Sequence, residues 1–184
     1  KESTADKQIK ADPDPYYRVL DLTGGSIATN YYPSFFHKNL GGYHAAKLQR
    51  FREVVDTFLS GSLGNSVHIL NMLNVKHFIT KNGPGPNPDA CGNAWFVDTL
   101  NIVPDGDTEL GALRNLRPKT TAVVQQKYAG LFEGLNLQPD STAYITLTKY
   151  HPDKLEYEYS AQTEQLAVFS EIYYPPAKGW KCYL

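Results

Sequence analysis

The residues best placed to do chemistry lie in His37-Lys-Asn-Leu-Gly-Gly-Tyr-His-Ala-Ala-Lys-Leu-Gln-Arg50. Two glycines let the backbone approach a partner closely, and Tyr43, His44, Lys47 and Arg50 project from the first turns of an expected helix. Such a group could hold an anionic ligand or a sugar. The same residues also suit a plain turn, a packed ring and a solvated cationic face, so both readings stand. A second candidate is Gly92-Asn-Ala-Trp-Phe96, where Asn93 and Trp95 follow a turn and could present an amide and an indole to a ligand. An indole facing the core at a strand start fits the same pattern.

Catalytic signatures are missing elsewhere. The five histidines, His37, His44, His68, His77 and His151, form no HxH or HxxxH pair, and no carboxylate stands at a metal-motif offset from them. Ser60-Gly-Ser-Leu-Gly64 lacks the strand-turn-helix setting of a nucleophile elbow. Glu156 and Glu158 share one strand face, whereas glycosidase carboxylates flank a bond from separate elements. The prolines in Asn82-Gly-Pro-Gly-Pro-Asn-Pro88 remove the N–H groups that a phosphate cradle needs. We therefore expect no catalytic residue, no metal and no cofactor in this chain.

Composition narrows the partners. With 18 basic and 19 acidic residues the net charge is −1, which gives no field to recruit nucleic acid or anionic lipid. Cys91 and Cys182 lie far apart and outside any CxxC pattern, so two free thiols are the default and one disulfide the alternative. Thr57 to Val75 lacks charged residues and is long enough for a membrane span, yet its serines, glycines, asparagines and His68 would be costly in hydrocarbon. The 13 tyrosines suit half-exposed sheets and also sugar-binding faces.

The elements that must position these residues follow from periodicity. Residues 1–15, ending in Asp12-Pro-Asp-Pro15, read as a linker. Tyr16 to Leu22 alternates as a strand, and Tyr43 to Leu59 has helical spacing, with Leu48, Phe51, Val55 and Phe58 on one face. Ser66 caps a short helix before the strand His77 to Thr80, and Asn82 to Pro88 is a loop. Ala94 to Val103 reads as one strand, Asp107 or Thr108 as a helix cap, and Thr121 to Gln125 as another strand.

Beyond a connection at 129–142, the period becomes two. Ala143 to Thr148, Leu155 to Tyr159, Leu166 to Tyr174 and Trp180 to Leu184 are expected to form one antiparallel meander. The fold class is α+β: a mixed α/β part over 16–128, then an antiparallel sheet or sandwich-like part over 143–184. The strand pattern runs to Leu184 without a closing turn and Lys1 opens in a polar run, so the chain is expected to be a piece of a longer protein.

Six segments in order carry a family resemblance: Tyr17-Arg-Val-Leu20, Gly42-Tyr-His-Ala-Ala-Lys-Leu48, Leu70-Asn-Met-Leu-Asn-Val-Lys-His-Phe-Ile79, Gly92-Asn-Ala-Trp-Phe-Val97, Ile145-Thr-Leu-Thr148, and Gln165-Leu-Ala-Val-Phe-Ser-Glu-Ile-Tyr-Tyr-Pro175 with Gly179-Trp-Lys181. From about residue 16 onward the chain resembles the C-terminal extracytoplasmic region of YfhO-type bacterial membrane proteins, in their Bacteroidetes version. The resemblance implies a multi-pass inner-membrane protein related to GT-C glycosyltransferases, with this part on the periplasmic side. The catalytic carboxylate of such enzymes lies in an early loop outside this chain.

The implied role is non-catalytic: a domain beside the protein's own transmembrane helices that helps to bind an envelope glycan or lipid-linked sugar acceptor. A stand-alone carbohydrate- or peptide-binding module is the alternative, with Tyr157, Tyr159, Tyr173 or Trp180 as stacking platforms.

Overall fold

The computed structural model describes residues 1–14, 16–43, 45, 47–173 and 179–184. Its architecture is α+β, built from short helices and several small sheets. The organising sheet is β1 (Arg18–Asp21), β2 (Val75–Thr80) and β3 (Gly83–Pro86), in that spatial order. β1 runs parallel to β2, which requires a crossover, and β3 returns antiparallel to β2. Gly83 to Pro86 thus forms an edge strand where a loop was expected. Proline is tolerated there because an edge leaves one row of N–H positions unpaired.

The crossover carries the core. Helix α2 (Gln49–Val54) continues through a π turn at Val55–Leu59, and α3 (Val67–Met72) follows. Val55, Phe58, Leu59, Ile69, Leu70 and Leu73 bury against Leu20, Leu40 and Val75. Each such side chain contributes about 1.5–3 kcal/mol on leaving water. The helix predicted from Tyr43 begins only at Gln49, since Leu48 is extended at its N-cap and no side chain caps the end.

Between α3 and β2, Asn74 takes a left-handed conformation with φ of 53°. Asparagine accepts this conformation more readily than most residues. Its buried amide donates to the Tyr16 carbonyl at 3.2 Å.

Residues 1–14 are not a free linker. Ser3 caps α1 (Thr4–Ile9) in a reciprocal box with Asp6, Ile9 is buried, and the Tyr17 hydroxyl donates to the Ile9 carbonyl at 2.9 Å. Asp6 then meets His37 at 2.9 Å, with both side chains at most 2% exposed. Asp12 contacts Lys76 at 2.9 Å and His77 at 2.7 Å, and Asp14 contacts Lys76 at 3.0 Å. Burial alone would raise the Asp12 carboxyl, but the hydrogen bonds from Lys76, the Asp14 N–H and His77 outweigh it and hold it down at about 2.

The expected strand Ala94 to Val103 divides into β4 (Ala94–Val97) and β5 (Thr99–Val103), which join different sheets. β5 pairs in parallel with β6 (Thr121–Gln125) across α4 (Gly106–Ala112), whose N-cap is Asp105 rather than Asp107 or Thr108. β7 (Tyr144–His151) and β8 (Lys154–Ser160) form the predicted hairpin.

The meander ends at that hairpin. β9 (Leu166–Phe169) leaves it and pairs antiparallel with β4, Ala94 opposite Phe169 and Val97 opposite Leu166. A buried guanidinium explains why the β9 end is drawn there. Arg18, 9% exposed, donates to the Leu73 carbonyl at 2.8 Å and to the Ser170 carbonyl at 2.9 Å, satisfying two carbonyls far apart in sequence. Residues 180–184 are irregular and exposed rather than a strand, and Tyr174 lies outside the described residues.

Candidate functional site

The sequence candidates separate in space. The paired glycines before the helix serve the chain itself: a Cβ on Gly41 would lie 2.4 Å from the Ile27 carbonyl oxygen, and Gly42 has φ of 103°. Tyr43 is 79% exposed. The Lys47 ammonium turns back to the Gly42 carbonyl at 2.9 Å. His44 lies outside the described residues. Arg50 is engaged at both terminal nitrogens, with Glu53 at 2.5 Å, Glu109 at 2.9 Å and the Gly106 carbonyl at 2.5 Å. Hydrogen bonding to Glu109 chiefly raises the guanidinium pKa further.

Asn93 is scaffolding. Its carbonyl accepts the Ser170 N–H at 2.9 Å, and its side-chain oxygen lies 3.5 Å from the Asn74 amide. Asn87 similarly donates to Asn71 and to the Val75 carbonyl, both at 2.8 Å. These asparagines tie the loop before β4 to the turn between α3 and β2.

Trp95 is the residue around which open space gathers. β4 places it between two clefts, and its indole N–H donates to the Pro118 carbonyl at 2.7 Å, which fixes the ring. The smaller cleft, about 260 Å³, has Leu110, Leu113, Leu116 and Val123 in its walls and the engaged Arg50 at its rim. Trp95 and Arg50 are therefore the two sequence candidates that the fold brings together.

The larger cleft, about 500 Å³, is lined by Trp95 with Phe96, Asp98, Lys119, Asp140 and Tyr144. Its polar groups arrive from separate elements. Asp98 lies between β4 and β5, and the Thr99 hydroxyl donates to it at 2.9 Å. Asp140 closes a turn before β7, accepting from the Thr142 hydroxyl at 2.6 Å and the Gln162 N–H at 2.7 Å. The Thr142 hydroxyl first, then the Gln162 and Thr142 N–H groups, hold its carboxyl below the usual value of 3.8. Tyr144 starts β7 half-exposed, with its hydroxyl 3.2 Å from Glu158. Lys119 pairs with Asp89 at 3.0 Å.

Sequence reasoning found Trp95 but missed Asp98, Asp140 and Tyr144. One signal was available: Asp140-Ser-Thr142 is an Asx-turn pattern directly before an alternating strand. Of the aromatic platforms proposed for the β part, Tyr157 instead packs edge-on against Phe169 at 5.2 Å between centroids, and burial pushes its hydroxyl up to about 12. Tyr159, Tyr173 and Trp180 are exposed and line neither cleft.

Among the described residues, the Ser3 hydroxyl and every histidine already have a partner. Ser3 donates its hydroxyl to Asp6 rather than to His37, an order that cannot activate a serine nucleophile. His68 lies 2.9 Å from the Leu113 carbonyl, and His151 pairs with Asp153. Burial raises the Cys91 thiol to about 11, away from the reactive thiolate, and both Cys91 and Cys182 are free. Among the described residues, no group of three His, Cys, Asp or Glu side chains could hold a metal ion, and no helix is long and apolar enough to cross a membrane.

Compared with known protein families, with curated proteins and with solved structures, the chain has no significant match in any of the three.

Proposed function

We propose that this chain is a non-catalytic glycan-binding domain, the extracytoplasmic part of a multi-pass membrane protein of the kind its sequence resembles. The observation that carries the binding role is the open cleft of about 500 Å³ in which Trp95 and Tyr144 stand among Asp98, Lys119 and Asp140. Rings flanked by short hydrogen-bonding side chains suit a sugar, whose faces carry C–H groups and whose edges carry hydroxyls. The indole is held by Pro118 before any ligand arrives, so little ordering is lost on binding. The described histidines and Ser3 are engaged in pairing, which supports a role in holding a glycan while chemistry occurs in another part of the protein.

Titration of the domain with neutral envelope oligosaccharides, followed by thermal unfolding, tests the binding role. A rise in Tm that disappears in Tyr144→Ala is expected, because a ligand selective for the folded state stabilises it by mass action. No rise at millimolar ligand removes the glycan reading. The membrane setting is tested separately by the complete reading frame, which should encode a series of hydrophobic spans before this domain.

A further inference from the structure

The larger cleft has a charge character that the chain as a whole lacks. Asp98 and Asp140 line it, and Glu158 stands at its edge through Tyr144. Against these carboxylates the described lining residues include one cation, Lys119, which already faces Asp89 at 3.0 Å. Among the described residues, Asp98 and Asp140 form no ion pair; their partners are hydroxyl and N–H groups. The smaller cleft is different, because Arg50 at its rim is matched by Glu53 and Glu109.

We infer that the Trp95 and Tyr144 cleft selects sugars bearing a free ammonium group over their acetylated or anionic counterparts. This inference rests on the glycan reading and names the ligand class of the same site. The rings give a stacking surface that does not distinguish these sugars, since all present C–H faces. The discrimination comes from the carboxylates: an ammonium brings three donors to oxygens that lack a cation, an acetamide brings one donor and no charge, and a carboxylate or phosphate meets like charge. Lys119 does not cancel this preference, because its own field is largely matched by Asp89. Solvent reaches the cleft, so the selectivity is modest: about threefold to fivefold for an exposed ion pair, and weaker in high salt.

Isothermal titration of the whole chain tests it with three probes of equal length: a β-1,4-linked glucosamine tetramer, its fully N-acetylated form, and a galacturonic acid tetramer. The measurement is made at mildly acidic pH, where the sugar amine is protonated. The glucosamine tetramer should bind about threefold tighter than the acetylated one, and the galacturonate weakest. Asp98→Asn combined with Asp140→Asn should bring the affinities of the first two together, and high salt should do the same for the unaltered protein.

Equal affinities for the amine and acetylated forms, tighter galacturonate binding, or a preference that survives either the paired Asp98→Asn and Asp140→Asn variant or high salt each overturn the inference. Binding of the acetylated tetramer in those cases still supports the glycan reading. If none of the three binds, the glycan reading falls and the charge selectivity falls with it.

Discussion

The two clefts that share Trp95 differ in how their charged groups are held. In the smaller one, leucines and Val123 form the walls and the charged rim is internally matched: Glu109 accepts from Arg50 at 2.9 Å and from Gln125 at 2.8 Å. In the larger one, a tyrosine and carboxylates reach open space, and the carboxylates are held by hydroxyl and N–H donors rather than by cations. The contrast shows that a conspicuous charge in the sequence can serve the fold itself. Arg50 bridges α2 and α4, and the pairing that locates it leaves its guanidinium little capacity for a ligand. Asp98 and Asp140 attract less notice in a sequence yet keep their outward valence.

Trp95→Ala should have the largest effect, because it removes the wall common to both clefts and leaves the Pro118 carbonyl without its donor. A loss of about 3 kcal/mol of stability is expected by chemical denaturation, together with loss of glycan binding. A variant that folds with native stability would mean that the indole is not part of the packing between the clefts. Tyr144→Ala should separate the two regions, since the residue is 46% exposed and lines only the larger one. Glycan affinity should fall about tenfold, or about 1.4 kcal/mol, with Tm nearly unchanged.

Arg50→Met probes the other side of the comparison. With its side chain 47% exposed, Arg50 should cost at most about 1 kcal/mol on replacement, and glycan affinity should stay the same. A fall in affinity would move the binding site toward α2 and revive the sequence candidate.

The finest distinction is in pH. Asp140 has its carboxyl pKa depressed in the folded state, so it contributes stability above the ordinary value of 3.8 and loses that contribution as pH falls below it. Asp140→Asn should therefore flatten the acid limb of the unfolding curve measured by circular dichroism, while leaving Arg50 and the smaller cleft unaffected.

Much of the scaffold was legible because its signals are local. Alternation from Tyr144 to Thr148 and from Leu155 to Tyr159, around the turn at Pro152-Asp153, specifies the hairpin without reference to the rest of the chain, although a bulge between Leu147 and Lys149 shifts its register. The apolar stripe of Phe51, Val55 and Phe58 likewise announces the core face of its helix. Helix α1 was missed although its signal was present, since Ser3 and Asp6 have the spacing of a capping box.

The pairing of β4 with β9 had no local signal. A strand's alternation says which face it buries but not which edge it joins, and Leu166 to Phe169 fits β8 as well as β4 by pattern alone. What decides it is contact that only folding creates: the Ser170 carbonyl on Arg18 and the Ser170 N–H on the Asn93 carbonyl. The cleft was illegible for the same reason, because Asp98, Asp140 and Tyr144 become neighbours only after β7 has settled beside β4.

That long-range closure bears on how the protein is made. β4 finds its partner strand only when Leu166 to Phe169 has been synthesised, and the Arg18 guanidinium gains its second carbonyl only with Ser170. A nascent chain that has not reached this point carries an open strand edge and a cation destined for burial, both invitations to wrong pairing. Contacts of such separation close slowly. Closure of the β4 edge and the second carbonyl for Arg18 therefore wait on Leu166 to Ser170, and a chain that stops short of residue 166 leaves both unmet.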